Sequence, residues 1–146
     1  LVMDNEQIQL FGDGSILRDF CYVDDCVDAI LRTATTEECY GEIFNVGSDI
    51  PVSFLQLVEA MVKVAKQGSY KFTEFSAERK AQEPGDFYSD ISKIERMTGW
   101  RPKVDLETGI AKTIEFYAKH RDHYWTKPSK APAATAPDKT TATARC

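Results

Sequence analysis

The sequence predicts an α/β fold with more helix than strand. Short apolar runs, IQLF at 8–11 and IFNV at 43–46, sit beside glycine turns and read as strands. Longer stretches between and after them repeat apolar residues at i, i+3, i+4 and i+7, the spacing of an amphipathic helix. Of 146 residues, 42% are apolar and 28% charged, which is ordinary for a globular domain and excludes collagen-like, disulfide-scaffold and wholly disordered classes. Two or three strands do not make a sheet covered on both faces, so the fold is expected to be incomplete on its own.

The elements follow in order. The first strand ends in the turn Gly12-Asp13-Gly14-Ser15. Asp24 or Asp25 is placed to cap a helix whose buried stripe is Val23, Cys26, Val27, Ile30, Leu31 and Ala34. Gly41 breaks the chain before the second strand, EIFNVGS. Ser53, with Gln56 three residues on, is a capping box for a helix striped with Phe54, Leu55, Val58, Met61, Val62 and Ala65. The region KFTEFSAERKAQEPGDFYSD starts like a strand and turns at Pro84-Gly85. Asp90 caps a short helix carrying Ile91, Ile94 and Met97, with Gly99 as its left-handed end and Pro102 blocking continuation. Asp105 caps the last helix, striped with Leu106, Ile110, Thr113, Ile114 and Tyr117. From 126 to 146 the chain reads TKPSKAPAATAPDKTTATARC, which lacks the apolar surface to offset its ordering entropy and is expected to be a disordered tail. The domain proper is therefore 1–125.

Charge and composition exclude several functions. A net charge of −5 argues against nucleic acid, whose phosphates need a surplus of Lys and Arg on one face. No apolar run approaches a membrane span, and no leader pattern opens the chain. It begins at Leu1 rather than Met, as expected of a fragment, a processed product or the rear of a longer protein. Cys21, Cys26, Cys39 and Cys146 lack C-x-x-C spacing, so neither a zinc site nor a disulfide framework is expected, and the setting reads as reducing and cytoplasmic.

Several residues invite a chemical role. Gly12-x-Gly14-x-x-Leu17 lacks the third glycine of a dinucleotide loop, and Asp13 puts negative charge where a pyrophosphate would sit, so a tight turn is expected. Arg18 beside that turn suits an anion, because a planar guanidinium clamps a diphosphate with parallel charge-assisted bonds; a surface ion pair accounts for it equally well. Asp24 and Asp25 are explained by the helix start. Asn45 stands polar within an apolar strand and needs backbone or ligand partners, and Gly47 would admit a ligand close to the backbone. His120 and His123 are too few for zinc, and Tyr124 and Trp125 read as a packing plug. No Tyr is followed by Lys at the fourth place, and no G-x-S-x-G or H-E-x-x-H occurs, so no complete catalytic constellation is present.

Three ordered blocks, LFGDGSILRDFCYVDDCVDAI, EIFNVGSDIPVS and EPGDFYSDISKIERMTGWRPKVDLETGIAKTIEFY, resemble the C-terminal half of the extended short-chain dehydrogenase/reductase superfamily. This is the superfamily of NAD-dependent nucleotide-sugar epimerases and dehydratases. The resemblance implies the C-terminal part of a Rossmann-type enzyme: a substrate-binding lobe that returns one strand and one helix to the Rossmann sheet. The NAD loop and the catalytic Tyr-x-x-x-Lys would lie upstream, so this chain alone is expected to be inactive. The complete enzyme would use NAD on a UDP- or dTDP-type sugar through a keto-sugar intermediate and act as a cytoplasmic homodimer. Arg18 resembles the diphosphate clamp and Asn45 the FN-x-G asparagine near the phosphates or ribose. Gln9, Leu10 and Phe11 resemble the segment whose backbone cradles the base. Glu83 stands where many members carry a second clamping arginine, with Arg79 nearby, and the stretch 86–90 is shorter than in many relatives, leaving Tyr88 to stack or hydrogen-bond near the nucleotide. The alternative expectation is a stand-alone, non-catalytic nucleotide-sugar-binding or interaction module.

Overall fold

The computed structural model describes residues 1–125; the predicted tail at 126–146 lies outside the described residues. The elements run β1 (Gln7–Phe11), β2 (Leu17–Arg18), α1 (Val23–Thr35), β3 (Val52–Ser53), α2 (Phe54–Ala65), β4 (Ser69–Thr73), α3 (Ala77–Gln82), α4 (Ser92–Thr98), α5 (Leu106–Lys119) and α6 (Arg121–Tyr124). Short 3-10 turns at Val2–Asp4 and Glu37–Cys39 complete the order. The α/β class is as expected, with helix dominant.

β1 and β4 pair in parallel, Gln7 opposite Ser69 through Phe11 opposite Thr73. A parallel pair needs a crossover, and here α1 and α2 both lie within the connection. β2 and β3 form a short antiparallel pair, Leu17 opposite Ser53 and Arg18 opposite Val52. That ladder leads straight into α2, where Ser53 accepts the Gln56 N–H and the Gln56 side chain returns to the Ser53 N–H. The capping box therefore forms as its spacing predicts. α2 lies against both β1 and α5. Asp105 caps α5 through the Thr108 N–H, and Gly99 ends α4 at φ 66°.

The main core joins α1, α4 and Trp100, two residues beyond the end of α4. Ala29, Ile91, Ile94 and Trp100 are buried together, with Cys21, Phe44 and Val46 packed on them. The Trp100 indole donates to the Asp25 carbonyl at 3.0 Å.

Four expectations are corrected. The segment 42–48 forms no strand and has no strand partner among the described residues, because strand-like composition does not by itself supply a second segment to pair with. α1 is capped by neither aspartate. Its N-cap is Tyr22, without a side-chain bond, while the buried Asp25 carboxylate accepts the N–H groups of Lys103 and Val104 at 3.0 and 2.9 Å. The apolar stripe of α1 also faces outward: Ile30 is 62% and Leu31 59% exposed, and the helix buries Ala29 and Asp25 instead. Periodicity located the stripe correctly, but burial needs an opposing surface, and none of the described residues supplies it. Asp90 takes the Ser92 N–H at 2.9 Å, one residue ahead of Ile91, the N-cap of α4.

Candidate functional site

The groove with the most chemistry lies between β1, α2 and α3. Its volume is about 490 Å³, and its walls include Gln9, Leu10, Phe11, Phe54, Phe75, Arg79 and Glu83. The floor is β1. One edge of that strand is taken by β4, and the other has no strand partner among the described residues. Leu10 is buried and supports the floor, Phe11 is half-buried, and Gln9 is exposed. Phe75 tilts against Phe11 with ring centroids 5.7 Å apart, and the Arg79 guanidinium lies 4.3 Å from the Phe11 ring centre. That distance is within cation–π range.

Arg18 is half-buried beside this groove, with its guanidinium 5.5 Å from the Phe54 ring centre. Its Nη1 donates to the carbonyls of Leu17 at 2.7 Å and Gly85 at 2.6 Å, and its Nη2 donates to Glu83 Oε1 at 2.6 Å. Arg18 is thus tied into the segment that follows α3. The same segment adds backbone contacts: the Phe87 N–H donates to the Leu17 carbonyl, and the Leu17 N–H donates to Asp86 at 2.8 Å. Sequence reasoning placed both an anion clamp and a surface ion pair at Arg18. The pair exists, and its partner is the carboxylate at the position of the expected second clamp.

Segment 85–90 runs on past Tyr88, which is 55% exposed, to Ser89, whose N–H donates to Asp19 at 3.1 Å. Asn45 is exposed at its far end, where Nδ2 reaches the Asp90 carbonyl at 3.4 Å. The structure brings Gln9, Leu10 and Phe11 to the groove and Arg18 to its side. Asn45 and Tyr88 do not line it. Arg79 and Phe75 do, and sequence reasoning did not select them as ligand contacts. Phe75 carries no local signal, since its contact with Phe11 depends on the β1–β4 register.

Gly47 admits protein rather than ligand. A Cβ there would overlap the Asp19 carboxylate and come within 3.1 Å of Ser89 Cβ. Asp19 is short and held by the Ser89 N–H, so it cannot swing aside without losing that bond. Gly47→Ala is expected to destabilise the chain by about 2 kcal/mol through overpacking. Urea unfolding followed by circular dichroism measures this, and a loss under about 0.5 kcal/mol, the range of neutral surface changes, would contradict it.

The glycine turn does not suit a dinucleotide. Gly12 and Gly14 take φ of 67° and 72°, which glycine adopts without steric cost. A Cβ on Gly12 would lie 2.7 Å from the Phe75 ring, and one on Gly14 2.7 Å from Leu10 and 3.0 Å from Leu55. Both glycines therefore face packed side chains. Asp13 binds the Ser15 N–H and hydroxyl, which hold its carboxyl below the usual range, and the turn leads into β2 rather than a helix. The residues of this turn do not fit NAD. Among the described residues, no group of three His, Cys, Asp or Glu is placed to hold a metal ion, and no helix is long and apolar enough to cross a membrane. Cys21, Cys26 and Cys39 are free thiols. Burial and the neighbouring Cys26 push the Cys21 thiol up to about 12.

The fold and the blocks along it define a class. Over 81% of this chain and 37% of the other, the structure resembles that of a Bacillus cereus UDP-glucuronic acid 4-epimerase variant, solved with a UDP-sugar and NAD, at a TM-score of 0.70 and 25% identity. The chain belongs to the extended short-chain dehydrogenase/reductase superfamily of NAD-dependent nucleotide-sugar epimerases and dehydratases, and residues 2–113 match its GDP-mannose 4,6 dehydratase family. It is 34% identical to a mouse dTDP-D-glucose 4,6-dehydratase over 134 residues, which are 90% of this chain and 37% of that protein. It is 38% identical to a UDP-glucose 4-epimerase of Mycolicibacterium smegmatis over 112 residues, 75% of this chain and 34% of that protein. The chain spans 36, 37 and 40% of three of the curated proteins it matches.

Proposed function

We propose that residues 1–125 are the nucleotide-sugar-binding part of an NAD-dependent epimerase or 4,6-dehydratase, and that the NAD loop and proton-transferring residues belong to the rest of that enzyme. The observation that carries this reading is the groove on β1, with Arg18 and Arg79 at its side. An unpaired strand edge offers N–H and C=O groups to the rim of a base, and aromatic rings offer it a stacking face. The guanidinium groups supply charge for a diphosphate. Arg18 and Arg79 then hold and orient the substrate, contributing positioning rather than proton transfer. The outward stripe of α1 and the unpaired segment 42–48 support a missing partner half. Ile43, 85% exposed, gains burial only if another strand and helix lie against it.

Titrating the chain with UDP-glucose, dTDP-glucose and glucose 1-phosphate tests the reading. The two nucleotide sugars are expected to bind and the nucleotide-free phosphate to bind far more weakly. Arg18→Ala is expected to cost about 1.5–3 kcal/mol, the worth of hydrogen bonds to a charged group, or roughly 10- to 100-fold in affinity. Unchanged affinity in a variant that still melts cooperatively would remove Arg18 from the site.

A further inference from the structure

Arg18 and Glu83 are separated by 65 positions yet meet at 2.6 Å, with side chains only 19% and 24% exposed. Its other hydrogen bonds go to backbone carbonyls and its remaining contact is the Phe54 ring, so Glu83 is its one charged partner among the described residues. Glu83 also lines the groove, immediately after the short helix α3. That helix buries none of its own residues. Its side-chain ties to the rest of the molecule include Arg79 over Phe11 at one end and Glu83 on Arg18 at the other. Arg79 makes no ion pair among the described residues.

We propose that Glu83 is an internal stand-in for an anionic ligand: its carboxylate occupies the Arg18 guanidinium while the groove is empty, and a phosphate-bearing ligand must displace it to reach Arg18. The inference deepens the nucleotide-sugar reading and rests on it for the identity of the ligand, but the competition at Arg18 holds for any diphosphate. A carboxylate and a phosphate oxygen offer the same acceptor geometry to one guanidinium, and with Nη1 held by the Leu17 and Gly85 carbonyls the two acids compete for what Nη2 offers. Left beside the bound ligand, Glu83 would oppose its negative charge. Glu83 therefore lowers affinity for anions and sets a threshold that neutral nucleosides do not meet. Displacing it frees one end of α3, so ligand entry and movement of this segment are one event.

Inorganic pyrophosphate is the primary probe, with UDP-glucose and uridine as the other arms, all titrated against the whole chain. Glu83→Gln removes the competing charge and keeps the side-chain shape. It is expected to bind pyrophosphate and UDP-glucose roughly tenfold tighter, with uridine unchanged, and the gain is expected to vanish in the Arg18→Ala background. In the unsubstituted protein labelled with 13C-glutamate, the Glu83 carboxyl resonance is expected to shift as pyrophosphate is added, a readout that survives if Glu83→Gln folds poorly. No gain in Glu83→Gln, a gain that persists without Arg18, or a Glu83 resonance that stays fixed while pyrophosphate binds would each overturn the proposal. Pyrophosphate binding with these signatures but no preference for UDP-glucose would overturn the nucleotide-sugar reading and leave the Glu83 competition standing. Absence of all binding would overturn both.

Discussion

Trp100→Ala is expected to lower stability by about 4 kcal/mol, within the range for deleting a buried aromatic side chain. Trp100 is 1% exposed and sits against Ala29, Ile91 and Ile94, so it packs between α1 and α4, which the Arg32 bond to the Thr98 carbonyl also joins. Two losses combine. The cavity left behind cannot close, because its walls are helices fixed by other contacts. The Asp25 carbonyl also loses the indole N–H that it accepts at 3.0 Å in a buried position. Trp100→Phe restores much of the volume but not the hydrogen bond, and about 1–2 kcal/mol is expected for it. Urea unfolding followed by far-UV circular dichroism separates the cases, with the midpoint falling while the slope stays constant. A loss below about 1.5 kcal/mol for the alanine variant would show that the indole is not the keystone of this core.

Asp25→Ala has the second-largest expected effect, about 3 kcal/mol. The carboxylate is 5% exposed and one oxygen, Oδ2, accepts two backbone N–H groups, those of Lys103 and Val104. Removing it strands both donors away from water, and a lost partner in a buried charged arrangement is among the costlier single changes. Asp25→Asn keeps an acceptor oxygen but not the charge, and about half the loss is expected. Hydrogen exchange is the discriminating measurement. The Lys103 and Val104 amides should lose protection selectively in Asp25→Ala, ahead of amides in α2. Uniform loss across the chain would show that Asp25 acts through global stability alone. Trp100 and Asp25 share a contact, so the double variant should fall short of the sum.

These two residues mark how far local reading reached. The Ser53–Gln56 capping box, the Asp105 cap and the Gly99 end of α4 all formed where their spacing placed them. Each depends on residues at most four positions apart. Asp25 looked like such a cap, and two adjacent aspartates at a helix start gave no hint that one would turn inward to a loop 78 positions away. The run at 43–46 reads as a strand by composition, yet pairing is a property of two segments, and none of the described residues pairs with it.

For the candidate site the division is the same. The β1 segment and Arg18 were legible because their blocks resemble a known superfamily. The meeting of Arg18 with Glu83, and of Arg79 with Phe11, was not legible, because each pair is far apart along the chain and ordinary in composition. Helix starts, helix ends, the α/β class and the periodic stripes of apolar residues are written in short-range chemistry, where backbone geometry and neighbouring side chains suffice. Which stripe is covered, which carboxylate is buried and which charge an arginine holds depend on contacts between distant segments. Those contacts are chosen by the chain's packing as a whole, since desolvation and ion pairing act through space and not along the sequence.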